Sequence, residues 1–391
     1  MTESVVIIGT GLAGYNFARE FRKLDAQTPL VVVSRDHAGF YSKPMLSNAL
    51  AGKKTAATLV MKDAEKMAGE IKASIISGVA VNAIDTAART VSLSNGETLA
   101  YRDLVLALGA DPIRLPLQGN ATDTVLSVND LDDFSRFATA LDTARNGAPV
   151  KRVAILGSGL IGCEFANDLL HREVQATVID LADRALARLL PAEASERLQA
   201  KLQAQGAQFK FGVGVTSVDT AEGGEHPLRV SLSDGSTLDT DLVLSAIGLR
   251  PRTQLASAAG IRLTRGIAVN RHLATSADHV YALGDCAEVD GHLLPYVLPL
   301  MAQARALAAT LSGKPTVVNY AAMPVVVKTP AWPTVVCPPP VEAPGQWVVT
   351  FDDEQLDARF MAGDQMLGFA LQGKAVSQRQ TLAQQVPAVL A

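Results

Sequence analysis

Twice in this chain a run of β-branched and aliphatic residues breaks into the same glycine pattern and then into helical periodicity. Val5-Val6-Ile7-Ile8 leads into Gly9-Thr10-Gly11-Leu12-Ala13-Gly14, with Phe17 and Phe21 following at helical spacing. Val153–Leu156 leads into Gly157-Ser158-Gly159-Leu160-Ile161-Gly162, with a helix expected from Cys163. In a strand–turn–helix setting the first glycine permits the tight turn, the second lets a pyrophosphate approach the backbone, and the third allows close helix packing. Phosphates then rest on the N–H groups and dipole of a helix N-terminus, without needing a lysine. One such turn could be chance in a chain with 30 glycines; two in matching contexts specify two dinucleotide-binding units.

Each unit continues to a second strand, Leu30–Val33 and Ala176–Ile179, after which an acid is placed to accept from a ribose hydroxyl. Those acids are Asp36, preceded by Ser34 and Arg35, and Asp180. Asp180 repels the 2′-phosphate of NADPH and bonds the free hydroxyl of NADH, so NADH is the expected donor, with Arg184 nearby a weak counterweight. Asp36 also reads as an ordinary loop residue. Asn95-Gly96 and Asp234-Gly235, flanked by alternating segments such as Thr90–Leu93 and Leu228–Leu232, predict an antiparallel meander on each unit. After each meander a buried strand ends in glycine, Leu104–Leu108 before Gly109 and Leu242–Ile247 before Gly248. Beyond Ala321 prolines become frequent and Gln346–Phe351 alternates, marking a small final domain. The fold class is α/β: two Rossmann-like dinucleotide-binding domains plus a small C-terminal α/β domain.

Composition narrows the function. A chain of 391 residues with 48% hydrophobic and 19% charged residues can bury more than one core. A net charge of −4 offers nothing to a polyanion, which argues against nucleic acid. No apolar run approaches the roughly 18 residues of a membrane span; Leu293–Met301 is short and holds two prolines. Cys163, Cys286 and Cys337 are too widely spaced for a disulfide framework or a metal cluster, so no metal is expected and the thiols should be reduced. The N-terminus enters its first strand without a basic leader, which reads as a cytoplasmic protein.

Val280-Tyr281-Ala282-Leu283-Gly284-Asp285-Cys286 resembles the C-terminal FAD motif of the glutathione-reductase-like flavoproteins. The resemblance implies that Asp285, beside Gly284, holds the ribityl chain of FAD; taken alone, Asp285 also reads as a turn-capping acid. First unit, inserted second unit and return motif, in that order, imply an FAD domain split into residues 1–110 and 245–322. It surrounds an NAD domain of residues 111–244, and residues 323–391 form the small C-terminal domain.

Disulfide reductases of this fold carry a redox-active cysteine pair near the first helix and a histidine base near the C-terminus. Here that segment reads Tyr41-Ser42-Lys43-Pro44-Met45-Leu46-Ser47, and the last histidine is His292. The segment resembles the Tyr-x-Lys/Arg-Pro-x-Leu-Ser stretch of the ferredoxin and rubredoxin reductase branch, whose flavin hands electrons to a protein carrier. Along essentially its full length, including Tyr296–Met301 and Met323–Pro330, the chain resembles the NADH:rubredoxin reductases of bacterial alkane oxidation.

That resemblance implies hydride transfer from NADH to N5 of FAD, then single electrons to rubredoxin by transient docking, feeding a hydroxylase such as alkane monooxygenase. A ferredoxin, a flavorubredoxin or oxygen as acceptor, or an NADH-sensing binding protein, are the alternatives. It further implies that Lys43, with Pro44, lies beside the flavin and pairs with Glu164 near N5. Lys328 then faces flavin N1 and the C2 carbonyl, and Val297 lies against the isoalloxazine. Without the resemblance, Lys43 is a loop lysine, Glu164 an acid in a helix's first turn, Lys328 a strand-end lysine and Val297 plain core. A monomer is expected, because the C-terminal region lacks the histidine-bearing dimer segment of the disulfide reductases.

Overall fold

The computed structural model describes residues 4–142, 147, 149–223 and 225–391. Val5–Ile8, buried at every position, is the middle strand of a five-stranded parallel sheet. Leu30–Val33 pairs on one side and Asp103–Leu106 on the other; Ser74–Ile76 and Val280–Ala282 are the edges. Strands covered on both faces read as unbroken apolar runs, which is why this one alternates so little. Phe17 and Phe21 of the helix Leu12–Leu24 and Leu300 and Leu307 of the helix Val297–Leu311 share its core.

The second unit repeats the plan with a four-stranded parallel sheet in the order Gln208–Phe211, Gln175–Asp180, Arg152–Leu156, Leu242–Ser245. Three-stranded antiparallel meanders accompany both sheets, turning at Asn95-Gly96 and Asp234-Gly235. An antiparallel pair, Ala110–Pro112 with Leu249–Pro251, joins the two units just beyond Gly109 and Gly248.

Three boundaries near the glycine turns differ from the sequence expectation. The strands end at Leu106 and Ser245, short of their glycines. Ala107 and Ala246 still donate N–H bonds to Ile8 and Leu156, but their carbonyls turn against the two glycine turns. The second helix begins at Leu160 rather than Cys163, because Gly159 itself is the N-cap.

The C-terminal unit is mostly strand: a five-stranded antiparallel sheet, Val325–Val327, Thr334–Cys337, Gln365–Gly373, Gln355–Ala362, Gln346–Phe351, with the short helix Arg379–Ala383. Its Trp332, Val336 and Leu356 share a core with Leu198 and Leu202 of the second unit, while Leu46 and Leu50 of the first unit share one with Phe165 and Leu169. The helix Leu160–Leu170 thus touches all three parts, and its buried polar residues tie them together. The Asn167 carboxamide oxygen accepts from the Ala331 N–H (3.1 Å), and the Asp168 carboxylate accepts from the N–H groups of Leu50 and Ala51 (2.8 Å each). Burial pushes the Asp168 carboxyl above the usual aspartate range in spite of those donors. Among the described residues no helix is long and apolar enough to cross a membrane.

Candidate active site

The two glycine turns are built alike. Gly9 and Gly157 take φ of +116° and +101°, where a side chain is strained, and a Cβ would stand 2.3 Å from the Ala107 oxygen or 2.7 Å from the Ala246 oxygen. On Gly14 or Gly162 it would meet the carbonyl oxygen of Gly9 or Gly157 at 2.0 or 1.9 Å, so the third glycine lets each helix back onto its turn. On Gly11 or Gly159 it would meet nothing within 4 Å. These middle glycines face open space at a helix N-terminus that no side chain caps, leaving the first N–H groups for an anion. That is a cradle which a side chain would fill and a pyrophosphate fits.

Both cradles open on one cleft of about 1960 Å³, well beyond the ~300–1,000 Å³ of a site for one small ligand. Its wall includes Thr10, Leu12, Ala13, Ser34, Arg35, Asp36, Pro44, Gly109, Leu160, Gly248, Asp285 and the groups described next; Gly14, Gly162 and Gly284 stand behind it. Gly284 is needed for packing, since a Cβ would press on Ala13 at 2.7 Å. Ile161, Val297, Leu298 and Val326 present exposed apolar surface to the cleft.

The two acids are placed differently. Asp36 accepts from Ser34 (2.7 Å), the Ala38 N–H (2.9 Å) and Thr10 (3.3 Å), all on Oδ1, so Oδ2 has no protein donor among the described residues. Asp180 binds its own turn: Oδ2 accepts from the Ser158 N–H (2.5 Å) and hydroxyl (2.8 Å), and Oδ1 from the Ala182 N–H (2.9 Å). Burial opposes ionisation of Asp180, but these donors outweigh it and hold the carboxyl below the usual range.

The charge pairing corrects the expectation for Lys43. Glu164, only 2% exposed, is bound not to Lys43 but to Lys328: its carboxylate accepts from the Lys328 ammonium, the Lys328 N–H (3.0 Å) and the Ser47 hydroxyl (2.6 Å). The reason lies in the 3₁₀ turn Lys43–Asn48, which brings Ser47 to Glu164, while the C-terminal unit delivers both main chain and side chain of Lys328. Lys43 instead donates to the Asn129 Oδ1 (2.7 Å), with Asp285 at 3.9 Å. Burial lowers the Lys43 ammonium below the usual lysine range, and Asp285 works against that.

Sequence reasoning missed Asn129, Ser47, Tyr41 and Arg252, which also line the cleft. Arg252 bonds Asp111 (2.6 Å) and the Leu108 carbonyl (3.1 Å) across the joining strands. Asn129 carries no signal beyond preceding an acidic helix start, and Ser47 none beyond the Tyr41–Ser47 match. Cys163, Cys286 and Cys337 are all free and buried, and among the described residues no group of three or more His, Cys, Asp or Glu could hold a metal ion.

Two family models match successive stretches of the chain. Residues 3–317 match the pyridine nucleotide-disulphide oxidoreductase model and residues 317–386 the rubredoxin binding C-terminal domain. The rubredoxin-NAD(+) reductase of Alcanivorax borkumensis is 48% identical over 387 residues, covering 99% of each chain. That of Acinetobacter baylyi is 47% identical over 388 residues, covering 98% of each. Among solved structures, a chain of the covalent putidaredoxin reductase–putidaredoxin complex superposes with a TM-score of 0.87 at 28% identity, covering 98% of this chain and 94% of that one.

Proposed function

The chain belongs to the pyridine nucleotide-disulphide oxidoreductase family, and on that premise we propose that it is an NADH-dependent FAD enzyme delivering electrons to rubredoxin. The observation that carries this reading is the convergence of three parts on one cleft. Two are the turns Gly9–Gly14 and Gly157–Gly162; the third is Lys328 and Val326, from the unit that matches the rubredoxin binding domain. We assign residues 1–110 and 245–322 to FAD and 111–244 to NADH.

Bound FAD supplies the conversion of a two-electron hydride donor into one-electron steps. The first turn offers its N–H groups to one pyrophosphate, with Asp36 and Asp285 as acceptors for sugar hydroxyls. The second turn offers the same to NADH, and Asp180 disfavours an additional phosphate there. Glu164 fixes and offsets the Lys328 ammonium at the cleft wall, while Lys43, with a neutral carboxamide as its nearest partner, would favour a ring that gains electrons. Ile161, Val297, Leu298 and Val326 displace water from the same region. With every thiol buried and unpaired, electrons leave through the cleft and not through a dithiol. We place the protein in the cytoplasm, where such thiols stay reduced, with the electrons passing on to a hydroxylase such as an alkane monooxygenase.

Anaerobic rapid mixing of the flavin-loaded protein with NADH, then with oxidised rubredoxin, tests the reading. Fast bleaching by NADH, slow bleaching by NADPH and fast reoxidation by rubredoxin are expected. Bleaching followed by reoxidation only with ferredoxin or flavorubredoxin moves the assignment to another carrier, and a protein that binds no flavin overturns it.

A further inference from the structure

Lys43 lies in the cleft wall with a neutral partner at the shorter distance: Asn129 Oδ1 at 2.7 Å, against the Asp285 carboxylate at 3.9 Å. Asn129 is itself only 5% exposed and is held by further bonds. Its Nδ2 donates to the Ala110 carbonyl (2.9 Å) and its main-chain N–H to Asp133 (3.0 Å). The Ala110 bond decides which way the carboxamide points, because a carbonyl accepts only from the NH₂ end and the oxygen is then left to face the ammonium. Asn129 therefore joins the Lys43 turn to the strand Ala110–Pro112 that connects the two nucleotide units.

The choice of a carboxamide has an electrostatic consequence. A buried ammonium needs acceptors in place of water. A carboxylate at this position would supply one and cancel the charge; a carboxamide supplies one and leaves the charge to act on whatever occupies the cleft. The other charged groups near Lys43 are Asp285, Arg252, Asp130 and Asp111, with Arg252 bonded to Asp111. We propose that Asn129 is a positioning residue that holds the Lys43 ammonium at the FAD site without adding a second carboxylate to the one Asp285 supplies, and so keeps the reduction potential of the bound flavin higher. The proposal rests on the FAD assignment above.

The test is the flavin midpoint potential, measured by anaerobic equilibration of the holoprotein with a reference dye, for the wild type, Asn129→Asp, Asn129→Leu, Lys43→Gln and Lys43→Gln with Asn129→Leu. Asn129→Asp should shift the oxidised-to-reduced ratio about tenfold toward oxidised, about 30 mV for a two-electron couple. Asn129→Asp also turns an oxygen toward the Ala110 carbonyl, so Asn129→Leu, similar in size and without an acceptor, is its companion. Asn129→Leu should shift the ratio the same way by a smaller factor, as Lys43 is released toward Asp285. In the Lys43→Gln background Asn129→Leu, which adds no charge of its own, should add nothing. Unchanged potentials in flavin-loaded Asn129 variants, or an Asn129→Leu shift that persists without Lys43, overturn the proposal. A wild type that takes up no FAD overturns the functional reading first, which separates the two failures.

Discussion

Gly159→Ala separates ligand binding from folding more cleanly than any other change in the cleft. Gly159 has φ −71° and ψ −171°, extended backbone that any residue adopts, and the added Cβ meets no atom within 4 Å. Stiffening the unfolded chain favours the variant by about 0.4–1 kcal/mol. Alanine is a poorer N-cap than glycine by about the same amount. The two effects nearly cancel, so the urea midpoint should stay close to that of the wild type. The methyl group, however, fills the space over the uncapped N–H groups. Losing one charge-assisted hydrogen bond to a phosphate costs about 1.5–3 kcal/mol, or roughly 10- to 150-fold in Kd. Anaerobic rapid mixing reads that Kd as the NADH concentration at which the bleaching rate is half-maximal, while visible absorbance reports FAD occupancy, which should not change. Gly157→Ala is the contrast: at φ +101°, with a Cβ 2.7 Å from the Ala246 oxygen, it should destabilise by about 1–3 kcal/mol. Wild-type NADH affinity in Gly159→Ala, or a loss of stability matching Gly157→Ala, refutes the reasoning.

Lys328→Met leaves the buried Glu164 carboxylate with only the Ser47 hydroxyl and one N–H, and should cost about 3 kcal/mol in urea unfolding. Adding Glu164→Gln should recover most of it, and a single-variant loss under about 1 kcal/mol contradicts the pairing. Asp180→Ala should reduce the NADH-over-NADPH ratio of kcat/KM at least about tenfold, a difference of ~1.4 kcal/mol; an unchanged ratio removes Asp180 as the selector. Burial pushes the Cys163 thiol up to about 12 and those of Cys286 and Cys337 to about 11, from an ordinary value near 8.5. The unfolded chain releases these protons first, so their contribution to stability is full below about pH 8.5 and falls as pH rises toward the folded values, by up to ~1.4 kcal/mol per pH unit for each thiol. Cys163→Ala should flatten the alkaline slope by about one thiol's share, and equal slopes in the two proteins contradict it.

The strands Val5–Ile8, Leu30–Val33, Thr90–Leu93, Leu228–Leu232 and Gln346–Phe351 stand where the sequence pattern puts them. Their signals are local: β-branched runs bounded by turn-forming residues such as Gly9, Pro29 and Ser34, or alternation beside Asn-Gly, Asp-Gly or Pro-Gly. The two cradles were legible for the same reason, since spacing within six residues is all the turn requires. Ion partners were not. Glu164 and Lys328 are 164 positions apart, and nothing in either segment tells which of two lysines the third unit will carry to the carboxylate. Asn129 was missed because Asn129-Asp130 before the helix Leu131–Asp142 looks like ordinary helix-start chemistry, and its role exists only once the Lys43 turn lies beside it. One alternating segment marks the C-terminal unit, whose five strands pair side by side with the helix Arg379–Ala383 after them.

The helix Leu160–Leu170 has a consequence for anyone exchanging acceptor modules among reductases. Among the described residues, two of its bonds to the C-terminal unit go to main-chain N–H groups, those of Lys328 and Ala331, and one goes to a side chain, the Lys328 ammonium. A transplanted module therefore need not match in sequence at position 331, but it must keep the register of the three peptides from 328 to 331. A graft point placed after that segment inherits a working seam from the host; one placed before Val325 must rebuild it, and a one-residue slip there would take the Ala331 donor from Asn167 and leave the buried Glu164 with the Ser47 hydroxyl alone.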